Sequence, residues 1–135
     1  MKLLLIKARS VYDLPKGESQ ISFSDFVKVV DYNGDISEIH NYLDCDCFDI
    51  VGRRIGGKTF DIFCDDEGLL KRNILSYQAK DDNYSLVGNL LITNTNEEGE
   101  TIGLSASDID LVISNIVKVL VVLKGKFVFS YVIVE

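Results

Sequence analysis

Two adjacent glycines set between two apolar arms constrain this chain more than any other feature. In "CFDIVGRRIGGKTFDIFCDDEGLL" (residues 47–70) the runs 46–51 and 58–64 flank Gly56 and Gly57. Glycine reaches positive backbone angles without steric cost, so a glycine pair between apolar runs predicts an antiparallel β-hairpin. Phe48 and Ile50 are expected on one face of the first arm, and Phe60, Ile62 and Cys64 on one face of the second, both turned to a common core. Phe48, Ile50, Phe60 and Ile62 are therefore expected to be buried. "DDEG" (Asp65 to Gly68) is expected to end the second arm as a turn, because Asp and Gly favour turns and are poor strand formers.

The rest of the chain supplies more strands and two helices. A strand is expected over residues 2–9, then a loop over "SVYDLPKGESQIS" (10–22), a strand over 26–32 and a turn at "NGD" (33–35). In "DISEIHNYLD" the apolar residues Ile36, Ile39 and Tyr42 or Leu43 recur at helical spacing, with Asp35 as N-cap and Glu38 at the third helical position. Residues 69–85, with Leu69, Leu70, Ile74 and Leu75 as anchors, read as an irregular connection containing a helical turn. "SLVGNLLITN" (85–94) reads as one strand with Gly88 at a bulge or close approach, and "NEEGE" as the turn that closes it. "LSASDIDLVISNI" carries a capping pair, Ser105 and Asp108, ahead of Ile109, Val112, Ile113 and Ile116 on one helical face. The C-terminal run divides at "KGK" into a terminal strand pair, the alternative being a helix that continues toward Val122. The expected fold is a single α+β domain of 135 residues, mainly antiparallel sheet with two short amphipathic helices.

Charge narrows the partners. With 21 Asp and Glu against 14 Lys and Arg, the net charge is −7, which repels nucleic-acid phosphates and anionic membranes. Basic protein surfaces are the expected partners, with no direct nucleic-acid or membrane contact. Leu3 to Ile6 is too short for a signal-peptide core. In the C-terminal run, Lys118, Lys124 and Lys126 interrupt the roughly 18 uncharged residues that a membrane helix needs. Three cysteines without a targeting segment fit a reducing compartment, so a cytoplasmic location is expected. The strand-rich apolar C-terminus leaves a homo-oligomer possible.

No motif commits the chain to catalysis. His40, Cys45, Cys47 and Cys64 form one conceivable Cys₃His set, but Cys45-Asp46-Cys47 is tighter than a zinc knuckle and no second knuckle exists. "DCDCFD" and "CDDEG" lack the spacing of a calcium loop. Neither metal is expected, nor any other cofactor. "GRRIGGKT" (Gly52 to Thr59) matches the letters of a phosphate loop, but β-rich sequence follows where that motif needs a helix. A hairpin turn is the simpler reading, with anion binding by Arg53, Arg54 and Lys58 as the alternative. A Cys-His dyad using the single histidine would lack an oxyanion motif. No enzyme is expected.

"VGRRIGGKTFDIFCDDEGLLKRN", followed by "LVGNLLITN" and "GLSASDIDLVI", resembles a family of small uncharacterised phage and conjugative-element proteins, a domain of unknown function. The resemblance covers about residues 36–116 and implies a mobile-element origin without assigning any catalytic residue. Together with the acidic balance, it leads to the expectation of a non-enzymatic accessory protein that binds a host protein and inhibits a defence component, of anti-CRISPR or anti-restriction type. Asp46, Asp49, Asp61, Asp65, Asp66 and Glu67, with Asp44, are the expected contact residues, placed along the hairpin and its ends. The alternative is a small-ligand or nucleotide binder using Arg53, Arg54 and Lys58.

Overall fold

The computed structural model describes residues 1–8, 22–67, 74–123 and 125–135. The loop expected at residues 10–22 lies outside them except for Ser22, as do Gly68, Leu69 and Leu70. In chain order the elements are β1 (Lys2–Ile6), α1 (Phe23–Phe26), β2 (Val27–Asp31), α2 (Ile36–Leu43), β3 (Phe48–Ile55), β4 (Lys58–Asp65), β5 (Leu75–Gln78), a 3₁₀ turn (Asp82–Tyr84), β6 (Leu86–Val87), β7 (Leu90–Thr95), β8 (Thr101–Ile102), α3 (Ala106–Ser114), β9 (Ile116–Leu123) and β10 (Lys126–Val134). They form two sheets, ordered β2-β1-β7-β4-β3 with β8 on β7, and β6-β5-β10-β9. Among the described residues all pairings are antiparallel except β5 with β10. The fold is the expected α+β class. No helix among the described residues is long and apolar enough to cross a membrane.

The first sheet is covered on both faces, which explains why β1 reads as a continuous apolar run rather than an alternating one. Leu4 and Ile6 of β1, with Phe60, Ile62, Leu90 and Ile92, enter a core that also takes Tyr77, Val128 and Ile133 from the second sheet and Val112 from α3. The opposite face sends Leu3, Leu5, Phe63 and Leu91 against Ile39 and Leu43 of α2. Helix α2 starts as its sequence predicts, with the Asp35 carboxylate accepting from the Ser37 N–H at 3.0 Å. Glu38 reaches further back and accepts from the Asn33 N–H.

The Gly-Gly hairpin forms between β3 and β4, but its faces differ from expectation. A two-residue turn joins Ile55 to Lys58, so even-numbered residues of β3 share a face with odd-numbered residues of β4. Phe48 lies opposite Asp65 and Ile50 opposite Phe63, while Val51 lies opposite Ile62 and Arg53 opposite Phe60. Phe60 and Ile62 are buried as expected. Ile50 is 54% exposed; among the described residues β3 ends the first sheet. Phe48 is half-buried and stacks on Phe63 with ring centroids 5.5 Å apart.

Gly56 and Gly57 both have positive φ, 58° and 83°, as a two-residue hairpin turn of this hand requires. They are not equivalent. A Cβ on Gly57 would meet open space, whereas one on Gly56 would run into the Leu111 side chain and lie 2.8 Å from Asn115 Nδ2. Gly57→Ala is expected to lose about 1 kcal/mol from backbone strain alone. Gly56→Ala is expected to lose about 2 kcal/mol or more, because the Leu111 and Asn115 side chains must also give way. Urea denaturation of the two variants checks the difference, and equal losses would contradict the packing of α3 on the turn.

Further expectations are revised. Residues 75–78, read as irregular, form β5, while the 3₁₀ turn at Asp82–Tyr84 supplies the helical turn expected nearby. The single strand expected over 85–94 divides at Gly88, whose φ is 78° and whose N–H donates to the Ile74 carbonyl at 2.9 Å. Its first part, β6, pairs with β5 in the second sheet, and its second part, β7, is central to the first. The short α1, capped by Ser22, was not expected. Helix α3 begins on the anticipated Ser105–Asp108 capping box and stops at Ser114, so Ile116 starts a strand rather than continuing the helix.

Candidate protein-binding surface

The acidic end of the β3–β4 hairpin is built around the C-terminus of α2. That helix closes with Asp44 in the left-handed region (φ 53°), and the Cys45 N–H returns to the His40 carbonyl at 3.2 Å. His40 Nδ1 lies 3.1 Å from the Cys45 carbonyl oxygen and its ring packs against Phe48. The bend buries Cys45 and turns Asp44, Asp46 and Cys47 outward. At the facing strand end, the Asp66 N–H donates to the Cys47 carbonyl, and the Asp65 carboxylate accepts from the Glu67 N–H at 2.9 Å. Asp65–Asp66–Glu67 is therefore the expected turn. Beside it an open depression of about 470 Å³ is lined by His40, Asn41, Asp44, Cys45 and Asp46.

The candidate acids divide into separate groups. Asp46, Asp66 and Glu67 are exposed at this one end, and Asp65, half-buried, shapes the turn between them. Asp49 is exposed but lies opposite Cys64, on the other face of the hairpin. Asp61 sits partway along β4, where its carboxylate accepts from the Thr95 hydroxyl. The end cluster also receives the negative end of the α2 dipole, since the last carbonyls of a helix point out of its C-terminus.

The candidate cations do not converge. Arg53 Nε donates to the Tyr84 carbonyl at 2.7 Å and its guanidinium lies over the Tyr84 ring. Arg54, on the opposite face of β3, donates to the Gly57 carbonyl. Lys58 pairs with Asp108 at 2.5 Å. That carboxylate also accepts from Asn94 Nδ2 and the Ser105 N–H, each at 3.1 Å, so the pair ties α3 to both β4 and β7.

The cysteines sit in different settings. Cys64 is buried, and burial first, then the nearby Asp49 and Asp65 carboxylates, push its thiol up to about 11 against the opposing pull of Arg53. It is therefore a protonated, weakly nucleophilic thiol at neutral pH. Among the described residues, no group of three or more His, Cys, Asp or Glu side chains is placed to hold a metal ion.

The apolar C-terminus, read from sequence as able to pair between subunits, forms a distinct exposed surface. On the outer face of the β9–β10 hairpin, Leu120 lies opposite Phe129 and Val122 opposite Phe127, and all four are exposed. The signal was the run of apolar residues at both odd and even positions, which leaves one strand face without polar cover.

A family model described as a domain of unknown function, DUF3846, matches residues 22–116, more than half of the chain. The chain belongs to this family. The match begins at Ser22 rather than near residue 36, so it takes in α1 and β2, and it ends at Ile116, where β9 starts. No curated protein matches the chain. No solved structure matches it.

Proposed function

We propose that this family member acts by binding another protein, without chemistry of its own, through the acidic end of the β3–β4 hairpin. The observation that carries the reading is the grouping of exposed Asp46, Asp66 and Glu67 beside the negative end of α2. A surface of this kind complements a lysine- and arginine-lined channel and steers encounter with it. The partner in this reading is a host protein that handles nucleic acid, and the protein is a phage or conjugative-element accessory factor working in the host cytoplasm. Blocking a CRISPR or restriction component follows from the same charge logic, because such components bind nucleic acid through basic channels. Ligand binding at Arg53, Arg54 and Lys58 has less support, since each of these side chains is already engaged within the fold. Catalysis by Cys64 also has less support, given its raised pKa.

The test is survival of phage or plasmid in cells that express the protein. Survival should rise in cells carrying the targeted restriction or CRISPR system and not in cells lacking it. Reversing Asp46, Asp66 and Glu67 to lysine should abolish the gain, while leaving unfolding within about 0.5 kcal/mol because the three residues are exposed. Equal survival with and without every such system would overturn the defence reading.

A further inference from the structure

We infer that the protein self-associates through β9, which pairs antiparallel with β9 of a second copy about a two-fold axis at Leu120. Strand β9 ends the second sheet, and among the described residues no strand pairs with its other edge. An eight-residue edge offers a row of unpaired N–H and C=O groups, which proteins ordinarily guard with charge, proline, bulges or short length. This edge has one of those guards, a single lysine, and no proline, bulge or short length. Its sequence is IVKVLVVL, its pairing with β10 is regular over the whole length, and its single charge lies over the Phe129 ring, with Lys118 Nζ 4.7 Å from the centroid.

A second copy suits this edge for reasons of geometry and charge. The strand that covers it must itself have an open edge of similar length, and β9 of another copy does. The chain is strongly acidic overall, yet residues 111–134 contain no Asp or Glu, so two copies approach here without the carboxylate repulsion that opposes contact elsewhere. A two-fold axis normal to the sheet pairs residues of equal parity, which allows centres at Leu120 or at Val119. Centring on Val119 brings the two Lys118 side chains to diagonal positions on one face, about 7–8 Å apart. Centring on Leu120 sets Lys118 opposite Val122 of the second copy and separates the lysines by about four residues, roughly 13 Å. Leu120 then faces its own counterpart, and the two exposed apolar stripes join into one band across an eight-stranded sheet. This contact uses the second sheet, so it stands independently of the acidic end of the first.

The experiment is light scattering on the full chain across the micromolar range, together with two substitutions. The wild type should have twice the 15.1 kDa chain mass. Leu120→Glu sets two carboxylates directly opposite each other and should give a monomer with an unchanged circular-dichroism spectrum. Leu120→Cys, in a Cys47→Ser background, should cross-link on mild oxidation, because directly opposed residues have Cα atoms about 4.5–5.5 Å apart, within disulfide range. A monomeric wild type, a dimer that survives Leu120→Glu, or a dimer that fails to cross-link through Leu120→Cys would each overturn the proposal. Should Leu120→Glu not fold, the cross-link decides.

Discussion

Asp108→Ala should lower the unfolding free energy by about 2–4 kcal/mol, a large share of the stability of a domain this size. Asp108 is 5% exposed, and its removal leaves the Lys58 ammonium, the Asn94 amide and the N-terminus of α3 without their shared acceptor. Breaking one partner of a fully buried pair costs about 3–5 kcal/mol. Lys58 is 43% exposed and recovers water, which reduces that cost, whereas loss of the capping box adds about 0.5–2 kcal/mol. Burial works against the Asp108 carboxylate, yet hydrogen bonds from Lys58 and Ser105 outweigh it and hold its pKa below the usual value. Its contribution is thus complete above the ordinary carboxylate value of 3.8 and is lost as pH falls through the lower native value. Chemical denaturation of wild type and variant should show a constant difference at neutral pH that shrinks only in acid. A difference that instead shrinks as pH rises toward neutrality would contradict the assignment.

Tyr77→Ala should be comparably damaging, at about 3–5 kcal/mol by comparison with other large aromatic truncations. Tyr77 is fully buried and lies opposite Ile133 in the one parallel pairing among the described residues. Its hydroxyl donates to the Arg54 carbonyl at 2.8 Å, so a residue of the second sheet is fastened to β3 of the first. Tyr77→Phe keeps the ring and loses only that bond, at about 1–2 kcal/mol. Thermal or urea unfolding should rank wild type above Tyr77→Phe and Tyr77→Phe well above Tyr77→Ala. Equal stability of the two variants would mean that ring burial is not what joins the sheets.

Tyr77 also marks where the sequence became hard to read. In β5 burial does not alternate: Leu75 is exposed while Ser76 and Tyr77 are both fully buried, the Ser76 hydroxyl donating to the Leu86 carbonyl. An alternation argument applied to "LSYQ" therefore fails. The caps of α2 and α3 and the Gly-Gly turn were legible because each depends on a few adjacent residues with one local solution. The faces of β3 were not, because register follows from the number of turn residues, and a one-residue difference exchanges the faces. The division at Gly88 depended on which of two sheets each half joins, and such a choice is made by distant strands. For the candidate site, proximity in sequence brought Asp46, Asp65, Asp66 and Glu67 together correctly through the hairpin register. Asp49 and Asp61 lie along the arms of the hairpin, apart from that end in face or in position along the strand.

The most direct test of binding through the acidic end is capture from cell lysate by two immobilised proteins, the wild type and the chain with Asp46, Asp66 and Glu67 reversed to lysine, at rising salt. The account predicts a partner that is enriched on the wild type, falls away as ionic strength screens the charges, and is absent from the reversed chain. A partner retained equally by both proteins at every salt concentration would contradict it.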